Sequence, residues 1–219
     1  MRKLRLVFEK RDRAKYISHL DLNRCMQRAI KRAKLPIAYT EGFNPHPYLV
    51  FPLALSLGFE SCCEVLDFGV EDMELSLTDV LTRLNGALPT GLQILRIGEP
   101  QRKAAEIGAA EYAVALTGTD PAALTAALEA FLGQDAILAE KRNKKKEIIE
   151  VDLKPSLRVC SLRETADGVM LVLQLPAGSQ TNLNPSLLLE AFSAAGTAAF
   201  TVGKIERIKI ICADGKEFS

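Results

Sequence analysis

The order in which hydrophobic periodicities change along the chain restricts its fold more than any other feature. RKLRLVFEK places Leu4, Leu6 and Phe8 on one face at period two, which predicts a half-buried strand. A helical pattern follows in SHLDLNRCMQRAIKRAK, and it ends before Pro36. IAYT and CCEVLDFGV are then predicted as strands, SLTDVLTRLNGAL as a second helix and GLQILRIG as a strand. The resulting order is β-α-β-β-α-β.

The second half of the chain repeats this order of patterns. EYAVALTG predicts a strand, and Asp120-Pro121 caps and starts the helix PAALTAALEAFL. ILAEKR and EIIEVDLKPSLRVCSL are strand-like arms around the basic turn KRNKKK, and GVMLVLQL, NPSLLLEAFSA and VGKIERIKIIC add a strand, a helix and a strand. Since β-α-β-β-α-β is the ferredoxin-like unit, we predict an α+β protein of two tandem ferredoxin-like domains. They span residues 1–99 and 110–219, with a linker near residues 98–110.

Several classes of function lack their sequence signals. The five cysteines show no CxxC motif, no metal-ligand spacing with histidine and no disulfide framework. The phosphate loop GxxxxGK[ST], a GxGxxG motif after a strand and the nucleophile motif GxSxG are absent. Residues 1–15 are charged throughout, and no apolar run approaches the roughly 18–20 residues of a membrane helix. We therefore expect a cytoplasmic protein with no cofactor, no metal and no membrane contact.

Basic residues are concentrated at the start of the chain, although the net charge is only +1. Residues 1–34 contain twelve Lys or Arg against three acids, whereas residues 35–99 contain two against nine. Such segregation is typical of a protein with one surface that faces an anion. The alternative is that these side chains only solvate a helix and a hairpin loop.

The predicted first helix carries the strongest signal for binding. Basic residues recur there at helical spacing, opposite the apolar stripe: Arg24, Arg28, Lys31 and Arg32. No acid lies between residues 22 and 40, which excludes an ordinary i,i+4 salt-bridge face in that range. Arginine suits phosphate because its planar fork can bond two oxygens. A second cluster in the KRNKKK turn is predicted to grip phosphates as well: Lys141, Arg142, Lys144 and Lys145.

The nonapeptide TEGFNPHPY, residues 40–48, is rigid for a connection. Pro45 and Pro47 fix φ near −65° and keep the residues before them out of the helical region. We expect the extended backbone to present Phe43, Asn44, His46 and Tyr48. Aromatic side chains that follow a cationic ridge are typical of proteins that stack unpaired bases. We therefore predict binding of single-stranded or looped RNA, with docking on an acidic protein partner as the alternative.

Residues 1–70 resemble an uncharacterised bacterial family, the radical-SAM-linked proteins. The elements that carry the resemblance are SHLD, RAIKRA before LP, Y-x-GFNPHP and LSLG, and a looser match continues through the DLKP segment and the NP-initiated helix. The resemblance implies a small cytoplasmic protein encoded beside, or fused behind, a radical SAM enzyme, and it implies no reaction. The chain is not that enzyme, because it lacks the C-x₃-C-x₂-C arrangement that holds its [4Fe–4S] cluster.

Two alternatives to RNA binding stay open. His19 and His46 are the only histidines, and they could act as acid and base in a metal-independent endoribonuclease. Tandem ferredoxin-like domains with a histidine near the first helix resemble the CRISPR-RNA-processing endoribonucleases, but GALPTG and AAGTAAFTVG lack their long glycine-rich loop. The second alternative is a purely structural partner of the radical SAM enzyme that docks through the apolar residues of 49–59, which could equally form core.

Overall fold

The computed structural model describes residues 1–142, 147–178 and 181–218. They form a mixed α+β protein with a sheet-rich core and, in these ranges, four α-helices. The chain divides into two compact units. Unit 1 contains Met1–Glu106 together with Glu217 and Phe218, and unit 2 contains Ile107–Lys216. Within the described ranges no helix combines the length and the apolar character needed to cross a membrane.

In unit 1, two helices alternate with four strands. The strands are β1 (Arg2–Lys10), β2 (Leu49–Val50), β3 (Glu60–Val70) and β4 (Leu92–Gly98), and the helices are α1 (His19–Arg32) and α2 (Leu77–Asn85). β1 pairs antiparallel with both β3 and β4, and β2 pairs antiparallel with β3. The order across the sheet is therefore β4-β1-β3-β2. α1 connects β1 to β2, and the antiparallel strand β3 lies between them. α2 connects β3 to β4, and the antiparallel strand β1 lies between those two.

Both helices of unit 1 cover the same face of its sheet. The buried cluster on this face joins residues of two strands and both helices: Leu4, Leu6, Phe8, Leu22, Met26, Ile30, Leu66, Phe68, Val80 and Leu84. Burial of one such side chain contributes about 1.5–3 kcal/mol. Because side chains alternate along a strand, Lys3, Arg5 and Asp67 point to the opposite face. This alternation decides which residues lie on the same side of the sheet as α1.

Unit 2 has the corresponding strand order with an added hairpin. Its elements are β5 (Ile107–Thr117), α3 (Pro121–Leu132), β6 (Leu138–Arg142), β7 (Ile148–Asp152), β8 (Arg158–Thr165), β9 (Gly168–Pro176), α4 (Pro185–Ala194) and β10 (Thr201–Cys212). β5 lies between β10 and β9, and β8 pairs with β9, so the order is β10-β5-β9-β8. β6 and β7 pair with each other in a separate two-stranded sheet.

The segment IAYT differs from its prediction as a strand. Ile37 and Tyr39 make only isolated bridges, to Val70 and Pro47, and regular pairing begins at Leu49. Pro47 contributes to this shift because its nitrogen has no hydrogen to donate to a ladder. The strand of the prediction is therefore displaced to the far side of the proline-rich loop.

The arm EIIEVDLKPSLRVCSL also differs, because it forms two strands. A 3-10 turn at Lys154–Ser156 separates β7 from β8. The Asp152 carboxylate accepts a hydrogen bond from the Lys154 N–H at 2.9 Å, and Pro155 cannot continue a ladder. Upstream, the predicted linker contains a 3-10 turn at Ala104–Glu106, and β5 starts directly after it. Regular structure of unit 2 thus begins at Ile107.

Candidate nucleic-acid interface

Helix α1 begins at the cap that the sequence predicts. The Ser18 hydroxyl accepts a hydrogen bond from the Asp21 N–H at 3.2 Å and donates one to the Asp21 carboxylate at 2.8 Å. This hydroxyl and the neighbouring Arg24 guanidinium hold the pKa of Asp21 below its usual value. The cap fixes where α1 starts, and the buried Leu22 and Met26 then fix which side of the helix faces solvent.

All the basic residues predicted on α1 lie at the surface. The cationic ridge consists of four exposed residues: Arg24, Arg28, Lys31 and Arg32. Arg24, Arg28 and Arg32 recur every four residues, so they stand one helical turn apart, about 5–6 Å, and Lys31 lies beside Arg32. The ridge is therefore a row of positive charges rather than a single cluster.

The ridge has an acidic neighbour at its N-terminal end, which the prediction overlooked. Arg24 Nη1 lies 3.1 Å from Asp21 Oδ1, one residue outside the acid-free range 22–40. Both side chains are exposed, so their attraction is weak and is screened by salt. Arg24 is accordingly the ridge member whose charge is most reduced.

The middle of the ridge has no such neighbour. The side chains of Arg28 and Lys31 make no hydrogen bond and no ion pair with any residue that the structure describes. Arg32 donates from Nη2 to the Ala87 carbonyl oxygen at 2.6 Å, which leaves its other N–H groups available. The charges that can act on a ligand are therefore those of the last two turns of α1.

Sequence reasoning missed the residue that holds the C-terminal end of α1. Arg83 Nε donates to the Ala33 carbonyl oxygen at 2.8 Å, and Nη2 donates to the carbonyl oxygens of Ala33 and Lys34. Its Nη1 pairs with Asp79 at 2.9 Å. These bonds satisfy carbonyls that a helix end leaves without partners. The only local signal was the i,i+4 spacing of Asp79 and Arg83, which indicates a helix pair and not a cap.

The loop around residues 40–46 is tied by its own backbone and by His46. The Thr40 N–H donates to the His46 carbonyl at 2.8 Å, and the His46 N–H donates to the Thr40 hydroxyl at 3.2 Å. His46 Nδ1 lies 3.1 Å from that hydroxyl and 3.2 Å from the Asn44 carbonyl oxygen. With a proton on Nδ1, the ring holds the loop and leaves Nε2 toward solvent. Gly42 adopts φ +124°, a conformation that favours glycine.

Two of the aromatic residues in this loop have different surroundings. Phe43 is completely exposed, with a relative accessibility of 112%. Tyr48 is half-buried, and Lys3 Nζ lies 5.5 Å from the centre of its ring. Since Lys3 is on the sheet face opposite α1, Tyr48 is on that face too, away from the cationic ridge. The structure thus places Tyr48 away from the ridge and Phe43 in solvent, and the RNA-binding roles of both stay predictions.

The two histidines are engaged in separate local contacts. The exposed ring of His19 packs edge-on against Phe51, with 5.1 Å between ring centres. His46 binds within its own loop, and no described hydrogen bond or ring contact joins it to His19. Each histidine thus has a structural use. In the described ranges no group of three or more His, Cys, Asp and Glu is arranged to hold a metal ion.

The second basic cluster is described only in part. Lys141 Nζ donates to the Asn182 carbonyl oxygen at 3.3 Å, and this lysine is half-buried within unit 2. Lys144 and Lys145 lie outside the described residues, and so does the side chain of Arg142. Lys141 therefore has one structural contact, and the phosphate-binding role of the turn stays a prediction.

The apolar segment 49–59 contributes mainly to the core. Leu53, Leu55 and Phe59 are buried, and Phe51 is half-buried against Phe8 and His19. Leu57 and Val50 are the exceptions, with 63% and 39% of their surface exposed. Of the two uses considered for this segment, the structure favours core over an extended docking surface.

The chain matches one known family over most of its length. The family, described as "Uncharacterized protein conserved in bacteria (DUF2344)", matches residues 3–185. This range includes the cationic ridge, the loop around residues 40–46 and the β6–β7 hairpin. A search of curated proteins found no match.

Proposed function

The chain belongs to the bacterial family DUF2344, and from this premise we propose that it is a non-catalytic RNA-binding or substrate-presenting accessory protein that acts with a radical SAM enzyme. The observation that carries the RNA part is the exposed row of Arg28, Lys31 and Arg32, in which the first two have no partner among the described residues. Exposed cations without a partner in the protein have their donors free for an anionic ligand.

The chemistry of the ridge suits a phosphate backbone better than an acidic protein surface. Guanidinium groups bind phosphate oxygens in pairs. The ridge repeats about every helical turn, so several phosphates of one strand can be bound in succession. Phe43, fully exposed in the loop that follows α1 and its short connection, supplies a face on which an unpaired base can stack. A basic row with an aromatic platform favours single-stranded or looped RNA.

For the fold, we propose that each unit is ferredoxin-like. What supports this is the antiparallel order β4-β1-β3-β2 in unit 1 and β10-β5-β9-β8 in unit 2. In both orders, each βαβ segment is split by a strand of opposite direction. The β6–β7 hairpin would then be an insertion between the first helix and the second strand of unit 2.

The radical SAM partner rests on the resemblance of residues 1–70 and on one surface feature. Three large apolar side chains near the start of α1 are exposed: Tyr16, Leu20 and Leu57. Gly58 donates its N–H to the Lys15 carbonyl at 2.9 Å, which brings Leu57 close to Tyr16. Exposed apolar side chains that lie together are typical of a contact with another protein.

The endoribonuclease alternative gains no support from the positions of the histidines. His19 packs on Phe51, and His46 Nδ1 is used within its loop. Acid–base cleavage at a 2′-hydroxyl would require both rings to reach one phosphodiester.

The test of RNA binding reverses charge in the middle of the ridge. We expect Arg28→Glu combined with Lys31→Glu to weaken binding of single-stranded RNA by at least ~100-fold and to flatten its salt dependence, since two phosphate contacts and their counterion release are lost. Filter binding at several salt concentrations measures both quantities. A control is Lys103→Glu, which reverses a single exposed charge of unit 1 outside α1 and is compared with Arg28→Glu alone. Unchanged affinity and salt slope in the double variant would falsify the ridge as the binding surface.

A further inference from the structure

A pocket of about 460 Å³ lies between the C-terminal ends of α1 and α2. Six residues line it: Arg32, Ala33, Lys34, Arg83, Gly86 and Ala87. The three ionisable residues among them are all cations, so no carboxylate is part of the lining. A concave surface with charge of one sign concentrates ions of the opposite sign.

The helix ends at this pocket do not repel an anion as free helix ends would. The C-terminal carbonyls of a helix carry partial negative charge. Here the carbonyl oxygens of Ala33 and Lys34 accept hydrogen bonds from Arg83 of α2, and that of Ala87 accepts one from Arg32 of α1. Each helix thus supplies an arginine to the end of the other. These three carbonyl oxygens already accept bonds from cationic groups, and the pocket has further N–H donors that can bind a ligand.

Two side chains supply those free donors. The Lys34 ammonium makes no bond with any residue in the described part of the chain, and Arg32 uses only Nη2 on Ala87. Arg83 is committed to the two carbonyls and to Asp79. Arg32 and Lys34 therefore form the recognition pair, and Arg83 is a positioning residue that holds the end of α1 against α2.

The backbone of Lys34 adds an independent reason to assign its side chain a role. Its N–H donates to the Lys31 carbonyl at 3.0 Å, and the Leu35 N–H donates to the Ile30 carbonyl at 3.2 Å. These two bonds define a Schellman ending of α1, in which the residue at the position of Lys34 is usually glycine. Lys34 has φ +50°, which disfavours any side chain. A lysine at this position stabilises α1 less than glycine would.

We propose that this pocket binds the phosphomonoester group of a nucleotide. Arg32 donates hydrogen bonds to two of its oxygens, and the Lys34 ammonium donates to a third. The group is either that of a free nucleoside monophosphate or the terminal phosphate of an RNA strand whose backbone follows the ridge. A pocket of this volume accommodates a small ligand. A phosphomonoester carries more charge than an internal phosphate, so two adjacent cations discriminate in its favour. The second source rests on the RNA binding proposed above.

The test uses Lys34→Gly, which separates structure from binding. Glycine relieves the unfavourable φ, so the melting temperature is expected to stay constant or rise. Three forms of a short oligouridylate are compared: with a 5′-phosphate, with a 3′-phosphate and with neither. In the unaltered protein one terminal phosphate should tighten binding by about tenfold, and Lys34→Gly should remove that preference. Lys34→Arg should keep it, and Lys103→Ala is the charge-matched control that should leave it unchanged.

A second measurement distinguishes the two sources of the phosphate and separates this proposal from the first. Uridine monophosphate and inorganic phosphate are titrated by calorimetry at constant ionic strength. Nucleotide binding that Lys34→Gly abolishes, in a protein that binds no oligouridylate, supports the pocket and contradicts RNA binding. Oligonucleotide binding without preference for any terminal phosphate, together with no nucleotide binding, overturns the pocket and leaves RNA binding standing.

Discussion

Units 1 and 2 have corresponding strand orders, but their helices differ in character. α1 contains four basic residues, whereas α3 and α4 contain none, and the only charged residues of α3 and α4 are Glu129 and Glu190. Unit 2 nevertheless forms the order β10-β5-β9-β8 that corresponds to β4-β1-β3-β2. This order of strands therefore does not require basic residues on the helices that cover them. The comparison indicates that the basic residues of α1 are not needed to form this strand order.

The C-terminal ends of α1 and α3 are alike, because each accepts hydrogen bonds from a basic side chain of another element. The C-terminal end of α1 receives Arg83, and the C-terminal end of α3 receives Lys154, whose Nζ donates to the Leu132 carbonyl at 2.5 Å. Both are basic residues from another element that satisfy helix carbonyls. Structural cations in both units thus point at backbone oxygens. The cations of the ridge that point at solvent, Arg28 and Lys31, have no counterpart on the helices of unit 2.

Removing the two structural cations should give the largest effect on stability. Arg83→Ala deprives two carbonyls and Asp79 of their partner and should cost about 2–3 kcal/mol, whereas Lys154→Ala removes one bond and should cost about 1 kcal/mol. Urea unfolding followed by circular dichroism measures both losses. Arg83→Lys keeps one donor and should fall between the two. Equal losses in both alanine variants would contradict the view that Arg83 ties several groups together.

The proline-rich loop, residues 40–48, should show the next largest effect, and the described part of the corresponding connection of unit 2 contains no such loop. Pro45→Ala with Pro47→Ala should reduce the free energy of unfolding by only ~0.4–1 kcal/mol per site, because such prolines act by restricting the unfolded chain. RNA affinity should fall by more than this, since the loop that carries Phe43 must then be ordered on binding. Measuring the melting temperature and the RNA affinity of the same double variant decides whether the loop serves binding or folding. A large drop in melting temperature with intact affinity would make the loop a scaffold.

The periodicity of the chain was sufficient to predict most elements of both units. Alternating residues such as Leu4 and Leu6 face one side of β1 as expected, and the capped start of α1 at Ser18 is confirmed. The strand near IAYT was misplaced because two prolines delay regular pairing until Leu49. The arm after KRNKKK was taken as continuous because its apolar residues run on across Pro155, although the backbone turns there.

The site was predictable only where it depends on a single helix. The exposure of the ridge follows from the spacing of Arg24, Arg28 and Arg32 on α1. The tie between Arg83 and Ala33 joins residues 50 positions apart, and no local pattern indicates it. The direction of Tyr48 depends on the pairing of β2 with β3, which the misplaced strand concealed. Contacts between elements thus required the structure.

The smallest expected effect is on the alkylation rates of two cysteines, one of which lies beside the ridge and reports on its charge. Burial raises the pKa of Cys25 on α1, and the nearby Arg32 and Arg28 oppose that rise. Burial also raises the pKa of Cys160 on β8, and there the Glu111 carboxylate adds to the rise while Arg158 and Lys209 oppose it. A raised pKa leaves less thiolate at a given pH, so both cysteines should react with iodoacetamide more slowly than an unfolded control.

Arg28→Glu removes a charge that favours the thiolate of Cys25, so it should slow alkylation of Cys25 slightly further and leave Cys160 unchanged. Peptide mass spectrometry over a series of pH values measures both rates in one sample. Bound RNA should slow Cys25 in the same direction, because its phosphates offset the same arginines. An equal response of Cys160 would mean that the change is global and that the ridge is not the origin of the field at Cys25.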